Sequence, residues 1–285
     1  MRIAVLSDIH SNEHALRACL DRLDALAIDH YVFLGDYLGE LAWPERTMTL
    51  LRALAQARPC TFIRGNKEDY WLDRAAGQGP AWRLGSSTTG ALAYVYPRVT
   101  AADLAFFRGL PVSLLLRLPG VPPLMLCHGS PDSARGKLLP GFPTALEALA
   151  ASPAEVLLCG HTHRPFAWAQ GARQLLNPGA VGVSLDGRGG HASCLLLDSD
   201  GRPWQPHFLL VPYDVEAACH DLIEAGLTRA APGWTRAAAN LLRRGGPSMP
   251  VVLARVTALA QRQGGCWPEL PEACWAQALS ELGIP

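Results

Sequence analysis

Long apolar runs are missing from this chain. No stretch of its 285 residues reaches about 18 consecutive apolar positions, so no transmembrane helix is expected. No signal peptide is expected either: Met1 to Leu6 runs directly into Ser7-Asp8 with no cleavage site behind it, and a soluble cytoplasmic protein is expected. Neither sign of charge is in excess. Twenty-five basic residues balance 25 acidic ones, which leaves no overall footprint for duplex nucleic acid or an anionic membrane but allows a local basic patch. Lysine is nearly absent, with Lys67 and Lys137 the only two. None of the eight cysteines forms a Cys-x-x-Cys pair, which excludes a zinc ribbon and a thioredoxin-type motif. Cys60, Cys127, Cys159 and Cys194 lie in apolar runs, as buried free thiols do. Disorder is excluded as well, because 49% of residues are hydrophobic and only 18% charged.

What is present is an apolar strand that stops at a polar turn, several times over. Ile3 to Leu6, Tyr31 to Leu34 and Cys60 to Ile63 each read as a buried strand. Helical spacing separates them over residues 12–27 and 44–57, which predicts parallel strands with crossover connections. Residues 67–110 read as helical, with Thr100 as a cap. Val112 to Leu118 and Leu124 to Cys127 suggest a hairpin, Thr144 to Ala151 a helix, and Val156 to Cys159 another buried strand. Four short runs follow (166–169, 174–176, 192–197 and 207–211), separated by Asn-Pro-Gly, Asp-Gly and Gly-Gly turns. They predict a second, mixed or antiparallel sheet. The pattern changes near residue 214. Asp214 caps a helix that Gly226 stops, and three further helical segments follow near 234–243, 250–263 and 271–282. The expected organisation is therefore a domain over 1–213 and a helical extension over 214–285, free to cover a site or to make a homo-oligomer.

The residues at the strand ends carry the chemistry. In order they are Asp8-Ile9-His10, Gly35-Asp36, Gly65-Asn66, His128-Gly129 and Gly160-His161-Thr162-His163. Alone, each has an ordinary structural use, as a cap, a turn or a hydrogen-bonded core histidine. Together they deliver two Asp, one Asn and four of the nine His to the carboxyl ends of strands, where α/β sheets hold their sites. Carboxylate, imidazole and amide oxygen suit Mn, Fe, Zn, Co or Ni. A carboxylate can bridge two such cations about 3.5–4 Å apart, a pair that clamps a phosphoryl oxygen and neutralises charge in the transition state. His14, His30, His191, His207 and His220 fall outside the pattern and read as surface or structural residues.

With these motifs the sequence resembles the calcineurin-like metallophosphoesterase superfamily, in particular its small bacterial and archaeal phosphodiesterase branch. The resemblance rests on the five motifs above, with Lys67-Glu68 after Gly65-Asn66, and covers residues 1–212, including the trailing Asn177-Pro178-Gly179-Ala180-Val181-Gly182. It implies an α/β fold: a two-sheet sandwich flanked by helices, here followed by the C-terminal helical appendage. It also implies two divalent metal ions, Mn foremost. By carry-over Asp8, His10, Asp36 and His163 hold the first and Asp36, Asn66, His128 and His161 the second, with Asp36 as the bridge. Where many members have His after Gly-Asn, this chain has Lys67. That side chain either supplies charge near a phosphate or is spent on Glu68, Asp69 or solvent. Arg64, Arg135, Lys137 and Tyr37 are weaker candidates for the pocket.

The expected function is a binuclear metal-dependent hydrolase of small phosphodiesters such as cyclic nucleotides, with Asp36, Asn66, Lys67 and His128 at the reacting centre. The alternatives are a phosphomonoesterase, including a protein phosphatase, and a non-catalytic metal-binding scaffold. Exonuclease action on DNA is open in principle, but no basic stripe supports it.

Overall fold

The computed structural model describes residues 1–285. In chain order the strands are β1 Arg2–Leu6, β2 His30–Phe33, β3 Cys60–Phe62, β4 Ser113–Leu116, β5 Leu124–Cys127, β6 Val156–Leu158, β7 Phe166–Gln170, β8 Arg173–Asn177, β9 His191–Asp198 and β10 Gln205–Pro212. The helices are α1 Glu13–Asp24, α2 Pro44–Ala57, α3 Asn66–Ala75, α4 Gly90–Val95, α5 Ala101–Gly109 and α6 Pro143–Ala151, then α7 Val215–Glu224, α8 Leu227–Ala230, α9 Pro232–Arg244, α10 Met249–Gln261 and α11 Glu272–Glu281. No helix is long and apolar enough to cross a membrane.

The strands form two five-stranded sheets, ordered β10-β9-β1-β2-β3 and β4-β5-β6-β8-β7. Side chains alternate across each strand, and the two faces enter different cores. In β1, Ile3 and Val5 meet Leu124, Leu126, Val156 and Leu158 of the second sheet in a core between the sheets. Ala4 and Leu6 of the same strand face the other way, into the largest core, with Leu16 and Leu23 of α1 and Trp71 of α3. Full burial of a Leu or Ile stabilises by roughly 1.5–3 kcal/mol, so a strand buried on both faces is fixed in position. The parallel β1-β2-β3 arrangement and the β4-β5 hairpin agree with the sequence reading.

One expectation is corrected. The last four runs do not share the second sheet. Only β7 and β8 join it, whereas β9 pairs antiparallel with β1, Ala4 opposite Leu196, and β10 pairs with β9. The reason lies in the two faces of β9: Leu195 and Leu197 fill the core between the sheets while Cys194 and Leu196 fill the helix-side core. A strand apolar on both faces belongs in the middle of a sheet, beside β1.

The C-terminal helices begin as expected, with Asp214 accepting the Ala217 N–H at 2.9 Å and Gly226 in the left-handed conformation that ends the turn. The four-residue α8 was too short to show a period. Cys219, Leu222, Leu227, Ala230, Ala238 and Leu242 from these helices lie in the same core as Leu6, Phe33 and Trp71. Helices α10 and α11 close a smaller core of their own around Val256, Trp275 and Leu279.

The contact between the two parts is close at α4, where a Cβ on Gly90 would stand 1.7 Å from the Ala230 carbonyl oxygen. Gly90→Ala is therefore expected to destabilise by about 1–3 kcal/mol in urea titration, as overpacking does. Gly109→Ala, with no neighbour within 4 Å of the new methyl, should be neutral or gain up to about 1 kcal/mol. Equal stability of the two variants would show that α8 does not press on α4.

Candidate metal centre

The strand ends of both sheets meet at one rim, and its backbone is unusual. Asp8, His10, Asp36, His161 and His163 have φ of 55°, 50°, 56°, 64° and 56°. That left-handed region costs a non-glycine residue roughly 1–2 kcal/mol. Hydrogen bonds between the turns hold it. The Asp8 N–H donates to the Gly35 carbonyl at 3.1 Å, His10 N–H to Asp36 at 3.0 Å, Gly160 N–H to His128 at 2.8 Å and Gly182 N–H to Asp8 at 2.9 Å. Asn177, from the trailing motif, donates to the Gly160 carbonyl at 2.7 Å and to Thr162 Oγ1 at 3.1 Å. Gly35 has φ +99°, and a Cβ there would lie 2.4 Å from Gly65 N, so this pair of turns closes only without side chains.

Glu68, in the first turn of α3, ties the same turns together. Its buried carboxylate accepts the N–H groups of Gly65 at 2.8 Å, Asp36 at 2.9 Å and Tyr37 at 2.9 Å. Burial and the nearby Asp36 push its pKa up, against those donors.

The side chains converge. Asp8 Oδ1 lies 3.2 Å from His163 Nε2 and 3.8 Å from both His10 Nε2 and His128 Nε2. Asp36 places Oδ2 3.5 Å from His10 Nε2 and Oδ1 3.5 Å from His128 Nε2. Asn66 Oδ1 is 3.1 Å from His128 Nε2, and the Nε2 atoms of His10 and His163 are 3.2 Å apart. Two tight groups result, Asp8-His10-His163 and Asp8-Asp36-His128. His161 belongs to neither by its ring nitrogens. Its ring stands edge-on to His128, with centroids 5.2 Å apart, and its backbone N–H donates to Asp8 Oδ2 at 3.1 Å.

These residues fit divalent cations. Asp8 Oδ1 is buried without a hydrogen-bond partner, a costly state for a carboxylate oxygen unless a cation meets it. His128 Nδ1 sits 2.7 Å from the Leu34 carbonyl and His163 Nδ1 2.6 Å from the Val183 carbonyl. Each Nδ1–H can donate there, which leaves the Nε2 lone pair facing the centre, as metal-binding imidazoles require. The field is strongly negative. Burial lowers the His128 pKa, yet Asp36 and Asp8 outweigh it and push it up to about 10. Burial raises the Asp8 pKa, but His163 and His128 hold it well below the usual carboxylate range, and His128 does the same for Asp36. Away from the carboxylates the sign reverses: burial, then the neighbouring His128, lowers His161 to about 4. The field that holds a proton on His128 equally attracts a divalent cation.

Lys67 is neither free nor paired with Glu68 or Asp69. Its Nζ forms an ion pair with Glu40, and Glu40 Oε2 lies 3.9 Å from His10 Nδ1. Arg64 pairs with Asp69 at 3.2 Å and Arg135 with Asp73 at 3.4 Å. Tyr37 is a core residue whose hydroxyl donates to the Ile63 carbonyl at 2.5 Å. The histidines outside the pattern are structural or exposed, for example His14 on Asp221 at 2.9 Å and His30 on Thr61 at 2.8 Å. A cleft of about 300 Å³ opens over the rim, and Lys67, Lys137, His161 and His163 face it. Its opposite side is built by α9 and α10. Sequence reasoning missed Glu40, Glu68 and this wall. Glu40, four residues after Asp36 in Gly-Asp-Tyr-Leu-Gly-Glu, and Glu68, two after Asn66, were within reach of a motif reading.

Residues 1–202 match the calcineurin-like phosphoesterase superfamily domain. The chain belongs to that superfamily. It is 25% identical over 256 residues to the uncharacterized protein MJ0912 of Methanocaldococcus jannaschii, covering 81% of this chain and 94% of that one. Its fold is similar to a metallophosphoesterase from Sphaerobacter thermophilus (TM-score 0.66, 25% identity, 81% and 98% of the two chains). It is also similar to hypothetical protein PH1004 of Pyrococcus horikoshii OT3 (TM-score 0.70, 22% identity, 87% and 99%). The superfamily implies a metal-dependent phosphoesterase with divalent ions, in agreement with the donor set at this rim.

Within this phosphoesterase the role of Glu68 can be measured. Glu68→Gln replaces one acceptor oxygen with an N–H donor facing three other N–H groups. Unfolding free energy is expected to fall by about 1–3 kcal/mol, and Mn²⁺ affinity in calorimetry should fall with it. Unchanged values would mean that the carboxylate does not hold the turns.

Proposed function

We propose that this protein is a binuclear metal-dependent hydrolase of small phosphodiesters, working with Mn²⁺. Asp8, His10, Asp36 and His163 would hold one cation and Asp36, Asn66, His128 and His161 the other. The observation that carries this reading is Asp36. Its two oxygens are turned to opposite imidazoles, 3.5 Å from His10 on one side and 3.5 Å from His128 on the other, as suits a carboxylate shared between two cations. A bound pair of cations would supply an activated water and neutralise charge on the phosphoryl oxygens.

The chain's own groups do the rest. Glu40 holds the Lys67 ammonium over the cleft, where it can pair with a phosphoryl oxygen. Burial lowers the Lys67 pKa, but Glu40 and Asp36 outweigh it and raise it, so the side chain stays charged and is a poor proton donor at neutral pH. Without an acid beside the leaving group, esters that need little proton donation are favoured, which supports diesters over monoesters. The presence of all seven motif residues in the sequence argues against a scaffold that has lost its chemistry.

Purified protein assayed on mono- and diesters tests the reading. Chelation should abolish hydrolysis and Mn²⁺ restore it; full activity in protein shown to be metal-free would sink the proposal. Asp36→Asn should lose at least 100-fold in kcat and bind less metal, while His207→Ala, at an exposed position, should match wild type. Similar behaviour of the two variants would remove the bridge assignment. Lys67→His should raise monoesterase relative to diesterase kcat/KM, because imidazole can donate a proton near neutral pH and general acid catalysis is worth roughly 10²–10⁴. A wild type strongly preferring monoesters would overturn the diester preference alone.

A further inference from the structure

We infer that α9 and α10 form the specificity wall of the cleft, and that the organic group of the substrate is a small aryl or alkyl alcohol rather than a sugar. The inference builds on the phosphoester reading above and concerns the part of the substrate that does not react.

Across the cleft from His10, His161 and His163 stand Trp234, Leu241 and Leu242 of α9 and Met249 and Leu253 of α10. Leu241 and Leu242 are buried, while Trp234, Met249 and Leu253 keep part of their surface exposed. Apolar surface facing water beside a strongly charged centre is unfavourable, and an apolar ligand group that covers it restores the difference. Polar partners are scarce on this side. Of the non-ligand polar side chains at the cleft, Glu40 is paired with Lys67 beside the metal centre, which leaves Lys137 and the indole N–H of Trp234 for an organic group. The hydroxyls of a ribose would be stripped of water with few acceptors or donors to replace it. About 300 Å³ is at the small end of ligand sites and admits one compact group beside the phosphate, not a polymer.

The wall is tied to the metal centre rather than laid loosely over it. The segment after β8 carries both the Val183 carbonyl that meets His163 Nδ1 and the Gly190 N–H that donates to the Leu242 carbonyl at 2.8 Å. Gly189 packs so closely on α9 that a Cβ there would lie 2.1 Å from the Arg243 carbonyl oxygen. One short segment thus holds a histidine of the centre at one end and the apolar wall at the other.

The test separates binding from turnover. Mn²⁺-loaded protein is titrated calorimetrically with methyl-, butyl- and phenylphosphonate and with ribose 5-phosphate. The dissociation constant should fall at least tenfold from methyl to butyl or phenyl, and ribose 5-phosphate should bind no better than methylphosphonate. Leu253→Gln, and independently Met249→Gln, should reduce the phenyl-to-methyl ratio at least threefold, while Val251→Ala, exposed on α10 and outside the cleft, should keep it. Equal affinities across the series, or tighter binding of the sugar phosphate, would overturn the wall. Matched 4-nitrophenyl diesters then report turnover. Graded binding without hydrolysis of any ester would retain the wall and reject the catalytic proposal, and hydrolysis indifferent to the alcohol would do the reverse.

Discussion

A single carboxylate oxygen sets the terms for the rim. Asp8 Oδ1 is fully buried, accepts no hydrogen bond, and has three imidazole nitrogens within 3.8 Å. Burying an unpaired carboxylate is among the most costly things a fold can do. The positive charge that offsets it comes from protonated imidazole or from a cation, and the neighbouring groups favour the cation. Two of those imidazoles face backbone carbonyls through Nδ1, which aims Nε2 at the same point. Asp36 adds a second buried carboxylate that reaches both halves of the cluster. Repulsion between such groups would open a softer structure. Here Asp8 and His161 follow β1 and β6, central strands whose residues are almost all buried, so the sheets hold the centre in place.

The left-handed turns follow from the same constraint. A strand directs alternate side chains to opposite faces, and neither face is the rim. Turning Asp8, Asp36, His161 and His163 onto the rim needs a sharp reversal immediately after the strand, and a positive φ provides it within one residue. The glycines beside Asp36 and Asn66 let the backbones of adjacent turns approach, and Gly160, beside His161, leaves room for the side chains of Ser7 and Asp8. Glu68 supplies the acceptors that the exposed N–H groups of two turns need.

The rim was legible in the sequence because its signal is local: an apolar run, then a ligand. Boundaries such as Pro44–Ala57 were legible for the same reason, since a cap or a proline marks them within a few residues. The membership of β9 and β10 was not. Turn chemistry says where a strand ends, and nothing in its neighbourhood names the strand it pairs with 192 residues away, as Ala4 does with Leu196. Lys67 was read against its sequence neighbours and is paired instead with Glu40, 27 residues away in the chain. Likewise the apolar stripe of α9 shows that the helix is covered on one side without saying by what.

That last ambiguity has a consequence for how the chain divides its labour. The superfamily match ends at residue 202, and all the ligand-type residues lie before it. The cleft, however, is completed by Trp234, Leu241 and Leu253, beyond that match. Helix α9 gives Ala238 and Leu242 to the main core, and both also line the cleft. A substitution that reshapes this wall therefore acts on stability and on substrate fit together, whereas one at an exposed site acts on neither. Chemistry held by the sheets and selection held by helices packed on them can vary independently only where a wall side chain reaches the cleft without reaching the core. Leu253, half-buried on α10 and packed against the smaller core but not the main one, comes nearest to that condition. It is the position at which a change of substrate would disturb the rest of the fold least.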